Sequence, residues 1–269
     1  MSKGTALVTG ASSGIGAVYA DRLAKRGYNL VLVARNAGRL DQLATDLSTQ
    51  YGVAVTAFPA DLTNHDDLEN VAARLATGDD LTLVVNSAGI GPNANVLASD
   101  PDSLRQLVFL NVDILHRLTL SAAHNFVDRG RGAIINIASV VPLMPERFNA
   151  SYCASKAFVL SLTQSLASEI GPRGVQMQAV LPGFTRTELF ERAGLDINVI
   201  PPEMMMDAGD MVDAALAGFD QGELITIPSL ADPAMWDAME TARHAIAPFL
   251  SLAQPAPRYA NRAKTGEPA

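Results

Sequence analysis

The chain predicts an α/β protein in which one doubly wound parallel sheet of about seven strands is flanked by helices on both faces. Three observations predict this. Short apolar runs alternate with longer segments of helical period. The runs lack the in-and-out alternation of a half-exposed sheet, as expected of strands covered on both faces. The first run also ends in a glycine-rich turn that opens a helix. With 269 residues, 48% hydrophobic and only 18% charged, the chain has ample material for one core. A single domain over 1–253 is expected, with a Pro- and Ala-rich, loosely ordered tail at 254–269.

The elements follow in order. TALVT (5–9) leads through the glycines into a helix over 14–26, and NLVLVA (29–34) into one over 37–50. VAVTAF (53–58) precedes a helix over 65–77, and LTLVV (81–85) precedes the longest helical segment, 101–128. That segment has a punctuated start, because Asp100 can cap the helix and Pro101 suits its first position. AIINI (133–137), a helix over 151–170, VQMQAV (175–180), a helix over 207–219 and ELITI (223–227) complete the rhythm. PAMWDAMETARHAIAPFLSLA, beyond the last strand, has helical spacing suited to covering a pocket or a second subunit.

Bulk properties exclude several classes. A net charge of −8 works against binding to nucleic acid or anionic lipid, which need clustered Lys and Arg. Cys153 is the one cysteine, so an internal disulfide is impossible and a reducing, cytoplasmic compartment is expected. The N-terminus reads as neither a secretion signal nor an anchor, and no run approaches the roughly 18 apolar residues of a membrane span. His65, His116, His124 and His244 show no metal-ligand spacing, so no metal is expected.

Ligands of such sheets bind beyond the carboxyl ends of the strands, and the informative residues follow the strand runs. TGASSGIG places Gly10, Gly14 and Gly16 before a helix, where a tight backbone can approach a pyrophosphate favoured by the helix N-terminus. The same stretch fits G-x-S-x-G, the elbow of a nucleophilic serine, with Ser12 as nucleophile and His244 and several Asp residues following. That rival leaves Tyr152 and Lys156 unexplained, and no earlier loop supplies its second oxyanion donor.

Together, the glycine turn, NSAG at 86–89, Ser139, Tyr152-x-x-x-Lys156 and Pro182-Gly183 resemble the short-chain dehydrogenase/reductase family over about residues 4–228. The resemblance implies a Rossmann-type fold and a nicotinamide cofactor lying across the strand ends. Cofactor contacts are then expected from Gly10, Ser12, Ser13, Gly14, Ile15, Gly16, Asp61, Leu62, Asn86, Ala88, Gly89, Tyr152, Lys156, Pro182, Gly183, Thr185 and Thr187. Ser87 departs from the family's usual second Asn, a change of little weight where backbone contacts dominate.

Residues four apart share a helix face, so Lys156 stands beside Tyr152. Lowering a phenol from pKa near 10 to ~7 needs about 4 kcal/mol, much of which a nearby cation can supply. Tyr152 is thus expected to protonate a carbonyl oxygen during reduction and to act as base in the reverse direction. Ser139, thirteen residues earlier, is placed to donate to the developing alkoxide. By resemblance, Asn111 holds a water near Lys156 through a local break in its helix.

Arg35 lies nineteen residues past Gly16, where an acidic residue would select NAD and an Arg accommodates the 2′-phosphate of NADP. With Asn36 and Arg39 close by, NADP(H) is favoured over NAD(H), although a solvated charge at a strand end is the bland alternative. Asp61 is read as an adenine contact or a turn-former.

The segment 184–206, rich in Phe, Leu, Ile and Met, is expected to cover a substrate pocket with Phe184, Val141, Leu143 and Met144 on its walls. Met204, Met205 and Met206 are read as pocket wall or as core. The expected activity is reversible reduction of a small to medium apolar carbonyl compound to a secondary alcohol, by a homodimer or homotetramer. A cofactor-sensing protein without turnover is the other reading.

Overall fold

The computed structural model describes residues 3–192 and 196–259, so the last ten residues of the expected loose tail lie outside the described residues. The chain runs β1 (Thr5–Thr9), α1 (Gly14–Lys25), β2 (Asn29–Ala34), α2 (Ala37–Tyr51), β3 (Val55–Pro59), α3 (His65–Thr77) and β4 (Leu81–Asn86). It continues with α4 (Pro101–Val108), a π-helical stretch (Phe109–Ile114), α5 (Leu115–Asp128), β5 (Gly132–Ile137), α6 (Ala150–Ile170) and β6 (Val175–Val180). After these come β7 (Thr185–Arg186), α7 (Glu188–Arg192), β8 (Met206–Asp207), α8 (Ala208–Asp220), β9 (Ile225–Thr226) and α9 (Ala234–Ala245).

Seven strands form one parallel sheet in the order β3-β2-β1-β4-β5-β6-β9. Strands β1 and β2 have the period of two that their apolar composition hides. Ala6, Val8, Leu30 and Leu32 pack toward α1, α2 and α8 with Tyr19, Leu40 and Met211. Their neighbours Leu7, Val31 and Val33 pack on the opposite face toward α3, α5 and α6 with Leu75, Phe126 and Leu166. Both faces are covered, which is why these strands carry no polar alternation.

The 101–128 segment is broken by the π-helical stretch around Asn111, the local break that the family resemblance implies, and its extra residue per turn re-aims the side chains there. Two expectations are corrected. The third strand is an edge strand with Thr56 and Pro59 exposed, so it is not covered on both faces; it pairs only with β2. The last strand shrinks to Ile225–Thr226 at the other edge, where Glu223 accepts a hydrogen bond from the Thr226 hydroxyl at 2.7 Å.

The chain divides into two compact units, one ending at Ser229 and one beginning at Leu230. The first contains the whole sheet. The second contains α9, none of whose residues is buried. Among the described residues no helix is long and apolar enough to cross a membrane, and no group of three or more His, Cys, Asp or Glu is placed to hold a metal ion.

Candidate active site

Sheet register brings the strand ends level. Thr9 pairs with Asn86, Asn86 with Asn136, and Ile137 with Val180. The residues that follow each strand therefore share one edge, at the point between β1 and β4 where the winding reverses.

The glycine turn fills that point. Gly10 has φ +68°, and a Cβ on it would stand 3.0 Å from the Ala88 amide nitrogen. A Cβ on Gly16 would overlap the Gly10 carbonyl. These two glycines let the turn sit against the 87–88 backbone with α1 starting immediately behind it. No acidic residue occupies the first turn of α1, whose amide dipoles favour an anion. Ser12, Ser13 and Ile15 complete the turn. Thr9, overlooked in the sequence, organises the neighbouring strand end: its hydroxyl accepts from the Ser87 and Ala88 amides, each at 3.1 Å. Asn86 turns inward and donates to Thr119 at 3.0 Å and Asn136 at 2.9 Å, a buried network that fixes β4 and β5. Thr9 and Asn136 look like ordinary strand residues until register places them together.

Ser139, Tyr152, Lys156 and Asn111 converge beyond β4 and β5. Asn149 caps α6 by accepting from the Tyr152 amide at 3.1 Å and donates to the Ala94 carbonyl at 2.9 Å. That cap sets the start of the helix and so the height of Tyr152 above the sheet. The Lys156 ammonium is buried, donates to the Ile137 carbonyl at 2.9 Å and lies 5.9 Å from the centre of the Tyr152 ring. The Asn111 amide binds both backbone groups of Ile90, accepting at 3.0 Å and donating at 2.9 Å, and reaches Ser155 at 3.4 Å. A Cβ on Gly89 would meet Asn111 Oδ1 at 3.0 Å and Lys156 Nζ at 3.8 Å. Residues 89–90 thus lie between the amide and the ammonium.

The electrostatics reverse one expectation. Burial pushes the Tyr152 phenol up to about 12, opposed by a hydrogen bond with Ser139, instead of down toward neutrality. Burial also pulls Lys156 down to about 8. Desolvation is the largest cause of both shifts, and the ammonium is directed to the Ile137 carbonyl. Ser139 Oγ accepts from the Val141 amide at 3.3 Å and donates to the Pro182 carbonyl at 3.3 Å. It has one proton, so donation to the phenol and donation to Pro182 exclude each other.

On the far side of the edge, Arg35 is exposed after β2. Asn36 caps α2, accepting from the Arg39 amide at 3.0 Å. Arg39 contacts both Glu188 oxygens, at 3.1 and 3.0 Å. Asp61 forms a turn, accepting from the Thr63 amide at 3.0 Å and hydroxyl at 2.7 Å. Burial would raise its pKa, but the Thr63 hydrogen bonds and the Arg35 charge hold it below the usual carboxylate value. Leu62 is buried beside it.

After β6, the Pro182 carbonyl also accepts from the Val140 amide at 3.0 Å, and Gly183 is exposed. The Thr185 hydroxyl donates to the Gly183 carbonyl at 3.2 Å. A Cβ on Gly14 would lie 3.3 Å from the Thr187 Cβ, so Thr187 sits over the glycine turn. The β7–β8 pair, with the Met206 amide donating to the Phe184 carbonyl at 2.9 Å, pins both ends of the 184–206 segment. Phe184 meets Phe148 and Phe190 with ring centres 6.4 and 6.3 Å apart; Phe190 belongs to the 184–206 segment, whereas Phe148 was overlooked because 36 residues separate it from Phe184 in the sequence. Val141 is buried, Leu143 packs in a cluster with Ala138, Val159 and Leu181, and Met144 is exposed. Met206 packs on the core whereas Met204 is exposed.

A family model described as short chain dehydrogenase matches residues 4–198. The chain is 33% identical over 197 residues to 17-beta-hydroxysteroid dehydrogenase type 3 of Homo sapiens, covering 72% of this chain and 63% of that protein. It thus spans about three fifths of the length of that curated relative. A solved short-chain dehydrogenase from Sphingobium yanoikuyae, in complex with NADPH, is 46% identical with a TM-score of 0.92 over 95% of this chain and 100% of that one. The bulky-bulky ketone specific alcohol dehydrogenase from Comamonas testosteroni is 41% identical with a TM-score of 0.89, covering 97% of this chain and 100% of that one.

Proposed function

Because the chain belongs to the short-chain dehydrogenase family, we propose that it is an NADP(H)-dependent oxidoreductase interconverting a medium-sized apolar ketone and its secondary alcohol. The observation that carries this reading is the meeting of Ser139, Tyr152, Lys156 and Asn111 at the carboxyl edge of β4 and β5. The glycine turn fits a dinucleotide: its backbone is tightly folded, no acidic side chain stands at the start of α1, and Arg35 and Arg39 follow β2. Bound there, the nicotinamide supplies or accepts the hydride.

The protein's own residues handle the proton. Tyr152 donates to the carbonyl oxygen in reduction, and its raised pKa keeps the phenol protonated at neutral pH. The Ser139 proton swings from Pro182 to the oxygen as negative charge develops there. Lys156 stabilises the phenolate left behind. Asn111 holds the 89–90 loop and, beside Lys156, a water through which the proton is replaced. The aromatic group of Phe148, Phe184 and Phe190 supplies an apolar wall for the substrate. Names of similar proteins support the same direction, one by its NADPH and one by its bulky ketones.

The working form is read as a cytoplasmic homodimer or homotetramer, built through α4 to α6, where Val108, Phe109 and Phe158 are exposed. A single-subunit mass in solution counts against that assembly.

The test is to titrate the protein with NADPH and NADH, then follow nicotinamide absorbance with bulky apolar ketones and with sugars. NADPH and ketones are expected to be preferred, and Tyr152→Phe to lose about 10³-fold in kcat. Unchanged turnover in Tyr152→Phe overturns the mechanism. Tight NADPH binding with no turnover of any carbonyl compound favours the sensor reading.

A further inference from the structure

Residues 187–189, at the start of α7, lie across three strand ends at once. Thr187 stands over Gly14 in the turn after β1, as the 3.3 Å approach between Thr187 Cβ and a Gly14 Cβ shows. A Cβ on Gly91, in the loop after β4, would touch Leu189 at 3.6 Å. Between them Glu188 reaches the first turn of α2, just after β2, where one Arg39 guanidinium nitrogen contacts both its oxygens at 3.1 and 3.0 Å. A carboxylate from the substrate-side segment therefore neutralises a cation on the adenine side of the edge.

We propose that Glu188 is a specificity-setting positioning residue: an internal anion that holds Arg39 until the 2′-phosphate of NADP(H) displaces it. The proposal rests on the reading of Arg35 and Arg39 as partners of that phosphate. Its chemistry is an exchange of anions at one guanidinium. The Arg39 and Glu188 side chains are 50% and 40% exposed, so their pairing is screened by water and weak. A phosphate brings nearly two charges and three acceptor oxygens to the same fork and wins the exchange. Losing the carboxylate partner is a cost that only the 2′-phosphorylated cofactor meets, because a ligand with a bare 2′-hydroxyl leaves the pair intact. Glu188 thus lowers the affinity for NADP(H) from its unopposed value while leaving NAD(H) alone. It also ties the state of α7, the start of the substrate-side segment, to which cofactor is bound.

The test uses the full chain and two probes that carry no nicotinamide, 2′,5′-ADP and 5′-AMP, with dissociation constants measured by calorimetry at low and at high salt. Wild type is expected to prefer 2′,5′-ADP. Glu188→Gln is expected to tighten 2′,5′-ADP two- to five-fold, about 0.5–1 kcal/mol at 1.4 kcal/mol per tenfold. Binding of 5′-AMP stays unchanged, and the gain shrinks at high salt. In an Arg39→Gln background the Glu188→Gln gain disappears. If wild type binds both probes equally, the NADP(H) reading fails and the inference falls with it. If wild type prefers 2′,5′-ADP but Glu188→Gln tightens neither probe, or both alike, or still tightens 2′,5′-ADP without Arg39, the NADP(H) reading stands and the role of Glu188 is overturned.

Discussion

Lys156 is a buried cation with its ammonium donating to one backbone carbonyl, and that has a consequence for stability as well as for chemistry. Its folded value, about 8, lies below the ordinary 10.5, so the fold disfavours the charged form. Between those values the unfolded chain binds more protons, and stability from this group rises with pH. The cost is complete below about pH 8 and vanishes above about 10.5. In the cofactor-free protein Lys156→Met is therefore expected to raise Tm at pH 7 by about 2–6 °C, even after about 1 kcal/mol for the Ile137 carbonyl left without its donor. The same variant loses most turnover. Thermal unfolding at pH 7 and pH 10 checks the sign: the gain shrinks at the higher pH, and a lower Tm at pH 7 counts against a penalised ammonium. Tyr152 carries a matching prediction. With its phenol raised to about 12, alcohol oxidation should climb steadily from pH 7 to 10 in kcat/KM, because the base form becomes more populated. A profile flat over that range means the phenol has already ionised.

Helix α6 delivers both residues, and its N-terminal geometry decides whether they are useful. Asn149 supplies the cap and also holds the Ala94 carbonyl, so one amide joins the 90s loop to the start of the helix. Asn149→Ala is expected to cost about 1 kcal/mol in stability, read by urea denaturation, and to lower kcat more than it weakens cofactor binding. Unchanged kcat shows that Tyr152 is placed without the cap. The cap at Asp100 is legible in sequence because Pro follows it directly, and the structure has Asp100 accepting from the Ser103 amide at 2.8 Å. Asn149 carries no such punctuation and precedes an Ala-Ser pair compatible with loop or helix. The break at Asn111 follows from the family resemblance and not from local composition: FLNVDI has ordinary helical composition, and its extra residue per turn is stabilised by Asn111 bonding to Ile90, twenty-one positions away in sequence.

Seven strands, their flanking helices and every residue of the proposed site lie in the unit that ends at Ser229. The unit from Leu230 carries α9, with Met235, Ile246, Phe249 and Leu250 exposed. Removing residues 230–269 should leave a cooperative transition with Tm changed by no more than about 5 °C, since the whole seven-stranded sheet lies within the first unit. Loss of cooperative unfolding would show that the sheet depends on the second unit.

Local chemistry was enough to announce the alternating strands, the glycine turn and the Tyr152–Lys156 helix, because apolar period, backbone freedom and four-residue spacing are properties of neighbouring residues. Distant groups had to be folded together before the rest existed. Thr9 gripping residues 87–88, Arg39 paired with Glu188 and Phe148 beside Phe184 are contacts across 78 or more, 149 and 36 positions, which no local pattern encodes. The upward shift of the Tyr152 phenol belongs with them: residue type supplies the phenol and a nearby cation, but only packing sets how much water each one loses.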